Sequence, residues 1–235
     1  MLGVIGGVGP LSTVYFQELI VKMTNAKTDQ EHLNMIIFNM PIIPDRTKYI
    51  LDPSNDSPIP ILKEIAKELE HLNVTYLTLP CITAHCFYNE ITEEIKTPFI
   101  HAIKEVKNLL LERKIQLVGL MATEGTIQSG LFQKELGGAG IDIILPSEEM
   151  QEYVTELIYK NVKADTPIDT HKYESVMRYL VSLGAEVIII GCTELSVINK
   201  EYKVKYKVLD TLEVLAKRSI EINGLEVKKE YQNLF

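Results

Sequence analysis

Two short stretches of this chain share one layout: Pro80-Cys81-Ile82-Thr83 and Gly191-Cys192-Thr193-Glu194. Each cysteine closes an apolar run, NVTYLTLPC (73–81) and AEVIIIGC (185–192), and a threonine follows within two residues. An apolar run that stops at a cysteine and gives way to hydroxyl-bearing residues reads as a buried strand turning into a helix. A thiol at a helix start sits in a positive field that favours thiolate. Two such thiols facing one another across a cleft can invert a carbon centre. One abstracts a proton while the other returns one to the opposite face, and exchanging the roles runs the reaction backwards. The carbon acid is weak, so the site must also stabilise a carbanion. Free N–H groups at helix starts suit a carboxylate next to that carbon.

The elements needed to hold such a pair are present as an alternating pattern. Strands are expected at 2–7, 33–39, 74–80, 116–122, 141–145, 185–191 and 207–210, with a short one at 98–103. Helices are expected between them, at 11–26, from Pro60 to Leu72, after Thr83, to Arg113, to Leu136, from Glu148, from Asp169, and last to Asn223, while 41–60 reads as a long loop. Apolar strands separated by helices predict parallel βαβ units. The order also repeats. Cys81 and Cys192 lie 111 residues apart, close to the 115 that separate Gly3 from Val118, the starts of GVIGG and VGLMA. The prediction is an α/β protein of two similar Rossmann-like lobes with parallel sheets, related by a pseudo-two-fold axis, with the active site between them. The first lobe is expected to hold 1–97 plus 211–235 and the second 98–210. In parallel sheets the carboxyl ends of the strands are where ligands bind.

Composition narrows the partners. The chain has 235 residues, 46% hydrophobic and 24% charged, which are ordinary globular proportions. With 24 Lys+Arg against 32 Asp+Glu the formal charge is −8, so neither nucleic acid nor an anionic membrane is expected as a partner. No apolar stretch is long enough for a membrane span, and the start lacks the pattern of a secretion signal, so the cytoplasm is the expected compartment. Three cysteines do not make a disulfide framework and read as free thiols. The five histidines are scattered, and Cys81, His85 and Cys86 lack the second ligand pair of a closed zinc site, so no metal is expected.

Gly6-Gly7-Val8-Gly9-Pro10, Pro44-Asp45-Arg46-Thr47, Pro80-Cys81-Ile82-Thr83-Ala84-His85, Ala122-Thr123-Glu124-Gly125-Thr126 and Gly191-Cys192-Thr193-Glu194-Leu195 together resemble the aspartate/glutamate racemase family, and within it the aspartate racemase branch. The likeness runs in order along nearly the whole chain. It implies a two-lobed α/β fold, commonly a homodimer, and a two-base mechanism with no pyridoxal phosphate or other cofactor. By that likeness Cys81 and Cys192 are the base/acid pair acting on a small, preferably dicarboxylic, amino acid. Thr83, Thr126 and Thr193 line the carboxylate site, Gly7, Val8 and Gly9 contact substrate, and Arg46 reaches the side-chain carboxylate. Lys163 resembles a lysine near that carboxylate. The family usually has Asn where this chain has Ile82, which makes that position a specificity candidate.

Plainer roles compete for several of these residues. Cys86 and His85 read as packing residues, and Thr123 and Thr126 as helix caps. Arg46 also reads as a surface ion-pair partner of its neighbour Asp45. Glu194 either orients a base or bonds a helix-start N–H. The GGVGP turn lacks the third glycine of a dinucleotide fingerprint. Other functional readings are a broad-specificity amino-acid racemase, a related isomerase or decarboxylase, and a two-lobed binding protein. The decarboxylases, by the resemblance, keep one cysteine, and this chain has both.

Overall fold

Strand β1 (Leu2–Gly6) is buried along its whole length, as a central parallel strand covered on both faces must be. In the computed structural model, which describes residues 1–202 and 204–235, it pairs in parallel with β2 (Met35–Asn39) and β3 (Tyr76–Thr78), in the order β2-β1-β3. The second sheet repeats this arrangement. Its centre is β4 (Leu117–Met121), flanked in parallel by β5 (Asp142–Ile144) and β6 (Val187–Ile190), and β7 (Val208–Asp210) extends it to the order β5-β4-β6-β7. The strand leading to Cys81 and the strand leading to Cys192 therefore occupy the same place beside their central strands. The fold is α/β with two lobes, as the alternation predicts.

The helices cover the sheets according to their apolar faces. Helix α1 (Pro10–Met23) starts on a proline, whose fixed φ suits the first helical position, and buries Phe16 and Ile20 completely. It packs against α11 (Thr211–Ile222), which also packs against α5 (Ala102–Glu112). One apolar core runs through this layer from Leu2 and Val4 of β1 to Val118 and Leu120 of β4. We propose the division 1–97 plus 211–235 and 98–210, with α11 as the element that joins the two parts. The outer faces carry α3 (Ile59–His71) on the first sheet and α8 (Glu148–Glu156), α9 (Thr170–Ser182) and α10 (Thr193–Glu201) on the second.

Three local expectations are corrected. Residues 98–103 form no strand. A single parallel bridge joins Phe99 to Leu77, and α5 begins at Ala102 behind the cap His101, which accepts a hydrogen bond from Lys104 N. The loop 41–60 contains a helix, α2 (Arg46–Leu51), whose first turn is capped by Asp45 accepting from Lys48 N at 3.0 Å. The helix expected to reach Leu136 is two, α6 (Glu124–Gln128) and α7 (Leu131–Gly137), separated at Gly130, where φ is +67°.

A buried carboxyl sits at the start of α11. Asp210 caps that helix through Leu212 N at 2.9 Å and accepts from Ser196 Oγ at 2.6 Å. Burial pushes its carboxyl up to about 6. A carboxyl raised in the folded state stabilises the protein below the unfolded-state value near 4, and that contribution is lost as pH rises through about 6. Asn keeps the capping oxygen without the charge. Asp210→Asn is therefore expected to gain stability relative to wild type as pH goes from 4 to 7, by up to about 3 kcal/mol. Urea unfolding at both pH values checks this, and a constant difference between the two proteins would refute it.

Candidate active site

Beyond β3 the chain passes Leu79 and Pro80 to Cys81. Beyond β6 it passes Gly191 to Cys192, the residue that precedes α10. Gly191 is required there because a Cβ would come within 2.9 Å of Leu120 and 3.2 Å of Ala122 and Phe132. Both thiols are free, with Cys81 6% and Cys192 3% exposed.

Their electrostatic surroundings differ. The Cys192 thiol donates to Glu194 Oε2 at 3.1 Å, and Thr193 Oγ1 donates to the same oxygen at 3.3 Å. Burial first, and then the Glu194 carboxylate, push the Cys192 thiol well up. The helix start was expected to favour thiolate at both positions, but at Cys192 burial and a facing carboxylate outweigh it. After Cys81 the chain makes only a 3-10 turn, Thr83–Phe87, before α4 (Tyr88–Thr92). The charge facing Cys81 comes from a side chain instead. Arg46, 8% exposed, lies within hydrogen-bonding reach of Cys81. Burial works against the guanidinium's charge, but Cys81, Asp45 and Glu194 together hold its pKa above the ordinary arginine value. It is fixed by donating to the carbonyls of Pro44 at 2.8 Å and Ile43 at 3.2 Å, and its buried Nε has no partner among the described residues.

The two lobes meet at a ring of hydroxyls. Thr83, Thr123 and Thr126 contact one another pairwise at 2.9–3.0 Å and are all buried. Thr123 also caps α6 through Thr126 N. On one side of this ring α6 lies so close to α2 that a Cβ on Gly125 would stand 2.9 Å from Thr47 Cα. Because the nearest atom is backbone, Gly125→Ala must push α2, and with it Arg46, away from the second lobe. Overpacking of this kind costs about 1–3 kcal/mol. We expect a lowered melting temperature in thermal unfolding, and an unchanged one would refute the close approach of α2 and α6.

A cleft of about 550 Å³ opens beside these groups. Gly7, Gly9, Arg46, Lys163 and Glu194 line it, with the start of α1 at Pro10, Leu11 and Ser12. Gly7 has φ +89°, and its N–H donates to Thr13 Oγ1 at 3.0 Å, so the loop is held against the helix it starts. Each thiol stands one residue behind the cleft wall, Cys81 against Arg46 and Cys192 against Glu194. Lys163 crosses the rim to Asp45 Oδ2 at 3.5 Å and lies 4.2 Å from the Tyr159 ring centre. Burial opposes its charge, but Glu194, Tyr159, Asp45 and Cys192 raise its pKa.

Of the residues expected at the site, Gly7, Gly9, Arg46 and Lys163 border the cleft, and Cys81 and Cys192 lie immediately behind it. Thr83 and Thr126 sit in the hydroxyl ring, and Thr193 is bound to Glu194. Val8 and Ile82 are each 1% exposed, their side chains in the apolar clusters. Two residues had been given no place at the site: Asp45, read only as an ion-pair neighbour of Arg46, and Tyr159. Asp45 had a readable signal, since Pro-Asp before a helical segment is a capping pattern. Tyr159 had none, because the segment Leu157–Val162 reaches the rim only through the packing of the second lobe. Among the described residues no group of three or more His, Cys, Asp or Glu side chains is placed to hold a metal, and no helix is long and apolar enough to cross a membrane.

Two parallel-sheet lobes carry a cysteine after corresponding strands, beside a cleft lined by charged groups, and the family match below makes the protein a racemase-type isomerase. Residues 5–218 match the family model described as Asp/Glu/Hydantoin racemase. The chain belongs to that family. It is 28% identical over 227 residues, 94% of this chain and 96% of the relative, to the "Broad specificity amino-acid racemase RacX" of Bacillus subtilis. The solved structure "Picrophilus torridus aspartate racemase" is 30% identical with a TM-score of 0.84, covering 98% of this chain and 97% of that one. A putative Asp/Glu racemase from Yersinia pestis, 22% identical, shares the fold with a TM-score of 0.80 over 94% and 97% of the two chains.

Proposed function

We propose that this enzyme interconverts the L and D forms of an amino acid by proton transfer at the α-carbon between Cys81 and Cys192, without a cofactor, and that its preferred substrates are aspartate and glutamate. The observation that carries the reading is the unequal pair of buried thiols. Cys192 is a thiol bonded to Glu194, and Cys81 faces the Arg46 cation. A two-base inversion needs one group to give a proton to the α-carbon and another to take one from it. Arg46 gives a negative sulfur at Cys81 a counter-charge, and its unpartnered Nε is a donor for a carboxylate. Glu194 holds the Cys192 thiol in place; Cys192 gives its proton to the α-carbon as Cys81 takes one from it, and the return direction exchanges those two roles. Both thiols are closed off, so the substrate enters with the lobes apart. The Lys163–Asp45 contact at the rim then closes over it and excludes water.

Two observations favour a second reading, a broad-specificity racemase. Ile82 turns a hydrocarbon into the core where the family usually has an amide, and the Bacillus relative at 28% identity carries a broad-specificity name. Proton exchange at the α-carbon in D2O, followed by NMR with chiral chromatography on the same samples, separates the two. Exchange with inversion confined to aspartate and glutamate supports the first reading. Inversion mainly of neutral or basic amino acids supports the second, and no exchange with any amino acid rejects both. The homodimer and the cytoplasmic setting expected from the sequence belong to the same proposal.

A further inference from the structure

A second cavity, about 290 Å³, lies across the lobes behind the 3-10 turn Thr83–Phe87. The turn and α4 form one wall, and α5, α7 and the end of α6 form the other. No part of the proposed racemisation uses it. Its volume corresponds to roughly ten water molecules at about 30 Å³ each, enough for a molecule of amino-acid size.

The lining is chemically specific. His85 is 1% exposed, and its Nε2 sits 3.2 Å from the Leu79 carbonyl. A carbonyl only accepts, so Nε2 carries the proton and Nδ1 is left a bare acceptor. That Nδ1 is buried with no partner. His101, whose ring centre is 5.1 Å from that of His85, uses its Nδ1 to accept from Lys104 N, which leaves Nε2–H as a donor. Burial pushes His85 down to about 3 and His101 to about 4, so both rings are neutral at pH 7. Lys104 and Lys134 bring two ammonium groups, neither in an ion pair among the described residues, and Lys104 lies 5.2 Å from the Tyr88 ring centre. Glu135, the one carboxylate of the lining, is held by Lys107 at 2.8 Å. The wall is thus net positive in a chain of charge −8.

We infer that this cavity is a binding site for a small anion that also carries a hydrogen-bond donor, the chemistry of a free amino acid or a 2-hydroxy acid. The anionic end lies between Lys104 and Lys134, and the donor completes His85 Nδ1. Occupancy is communicated to the hydroxyl ring by a short route. Cys86 lies three residues after Thr83 on one short helix, and Ser129 lies three after Thr126 at the end of another, with the Ser129 hydroxyl against the Cys86 thiol.

The test uses the intact protein labelled with 15N-histidine, with glycine, lactate and acetate as probes. Glycine or lactate is expected to move the His85 Nδ1 resonance from the bare to the hydrogen-bonded position. A response to glycine alone identifies ammonium as the donor, and a response to lactate alone identifies a hydroxyl. Acetate, which has no donor, should leave the resonance in place. Substituting both exposed lysines, Lys104→Ala with Lys134→Ala, should weaken the response at least about tenfold, since each charge-assisted contact is worth on the order of 1.5–3 kcal/mol. Lys163→Ala, in the other cleft, should leave it intact. The proposal is overturned if no probe moves the resonance, if acetate moves it as far as glycine does, if the double substitution has no effect, or if Lys163→Ala abolishes it. None of these readouts depends on racemisation.

Discussion

Cys192→Ala and Cys81→Ala are each expected to reduce racemisation by at least about a thousandfold, within the range that positioned acid–base groups supply. Inversion needs one group to remove the proton and another to return it on the far face, so either loss leaves half of a two-base reaction. The variants should separate in one further measurement. With one thiol left, proton exchange can persist for the enantiomer whose α-proton faces it, while inversion stops. Chiral chromatography measures inversion, and NMR in D2O measures exchange. Both thiols are nearly inaccessible, so each alanine removes one buried sulfur and leaves the backbone unaltered. Circular dichroism should confirm an intact fold. Full racemisation in either variant would end the two-base reading.

Glu194→Gln carries the second large effect. The carboxylate accepts from the Cys192 thiol at 3.1 Å and is, after burial, the main reason that thiol is pushed up. Glutamine keeps the volume and an acceptor oxygen but removes the charge. Losing a hydrogen bond to a charged group costs about 1.5–3 kcal/mol, which corresponds to a fall in kcat/KM of roughly 10- to 150-fold. The sign in pH is also defined. The negative charge of Glu194 disfavours thiolate at Cys192, so its removal lowers the thiol's pKa, and the matching limb of the pH–rate profile moves to lower pH. A merely structural role would reduce activity without moving that limb, so an unshifted profile would reject the assignment.

Much of the frame was legible because apolar runs report burial directly. LGVIG, VGLM within β4 and VIII are buried strand segments, and a buried parallel strand has few other readings. Errors fell where the signal was local and weak. Residues 98–103 have a strand's composition but make one bridge, because the chain must start α5 at Ala102. The short helix α2 was lost inside a proline-rich loop, although its Asp45 cap was visible.

The site divides in the same way. Spacing along the chain, with the repeat of strand, cysteine and threonine, suffices to put Cys81 and Cys192 at corresponding strand ends, since parallel βαβ order converts sequence position into sheet position. Which charge faces which thiol is a different kind of fact. Arg46 reaches Cys81 from a helix 35 residues earlier in the chain. Lys163 reaches Asp45 across the rim, and three threonines from two lobes close one ring. Ile82 turned into the core, although its place next to Cys81 suggested the cleft. The folding of each strand and helix follows from local pattern. The field around a buried sulfur comes from side chains distant in sequence, and only the packing of the lobes brings them within bonding distance.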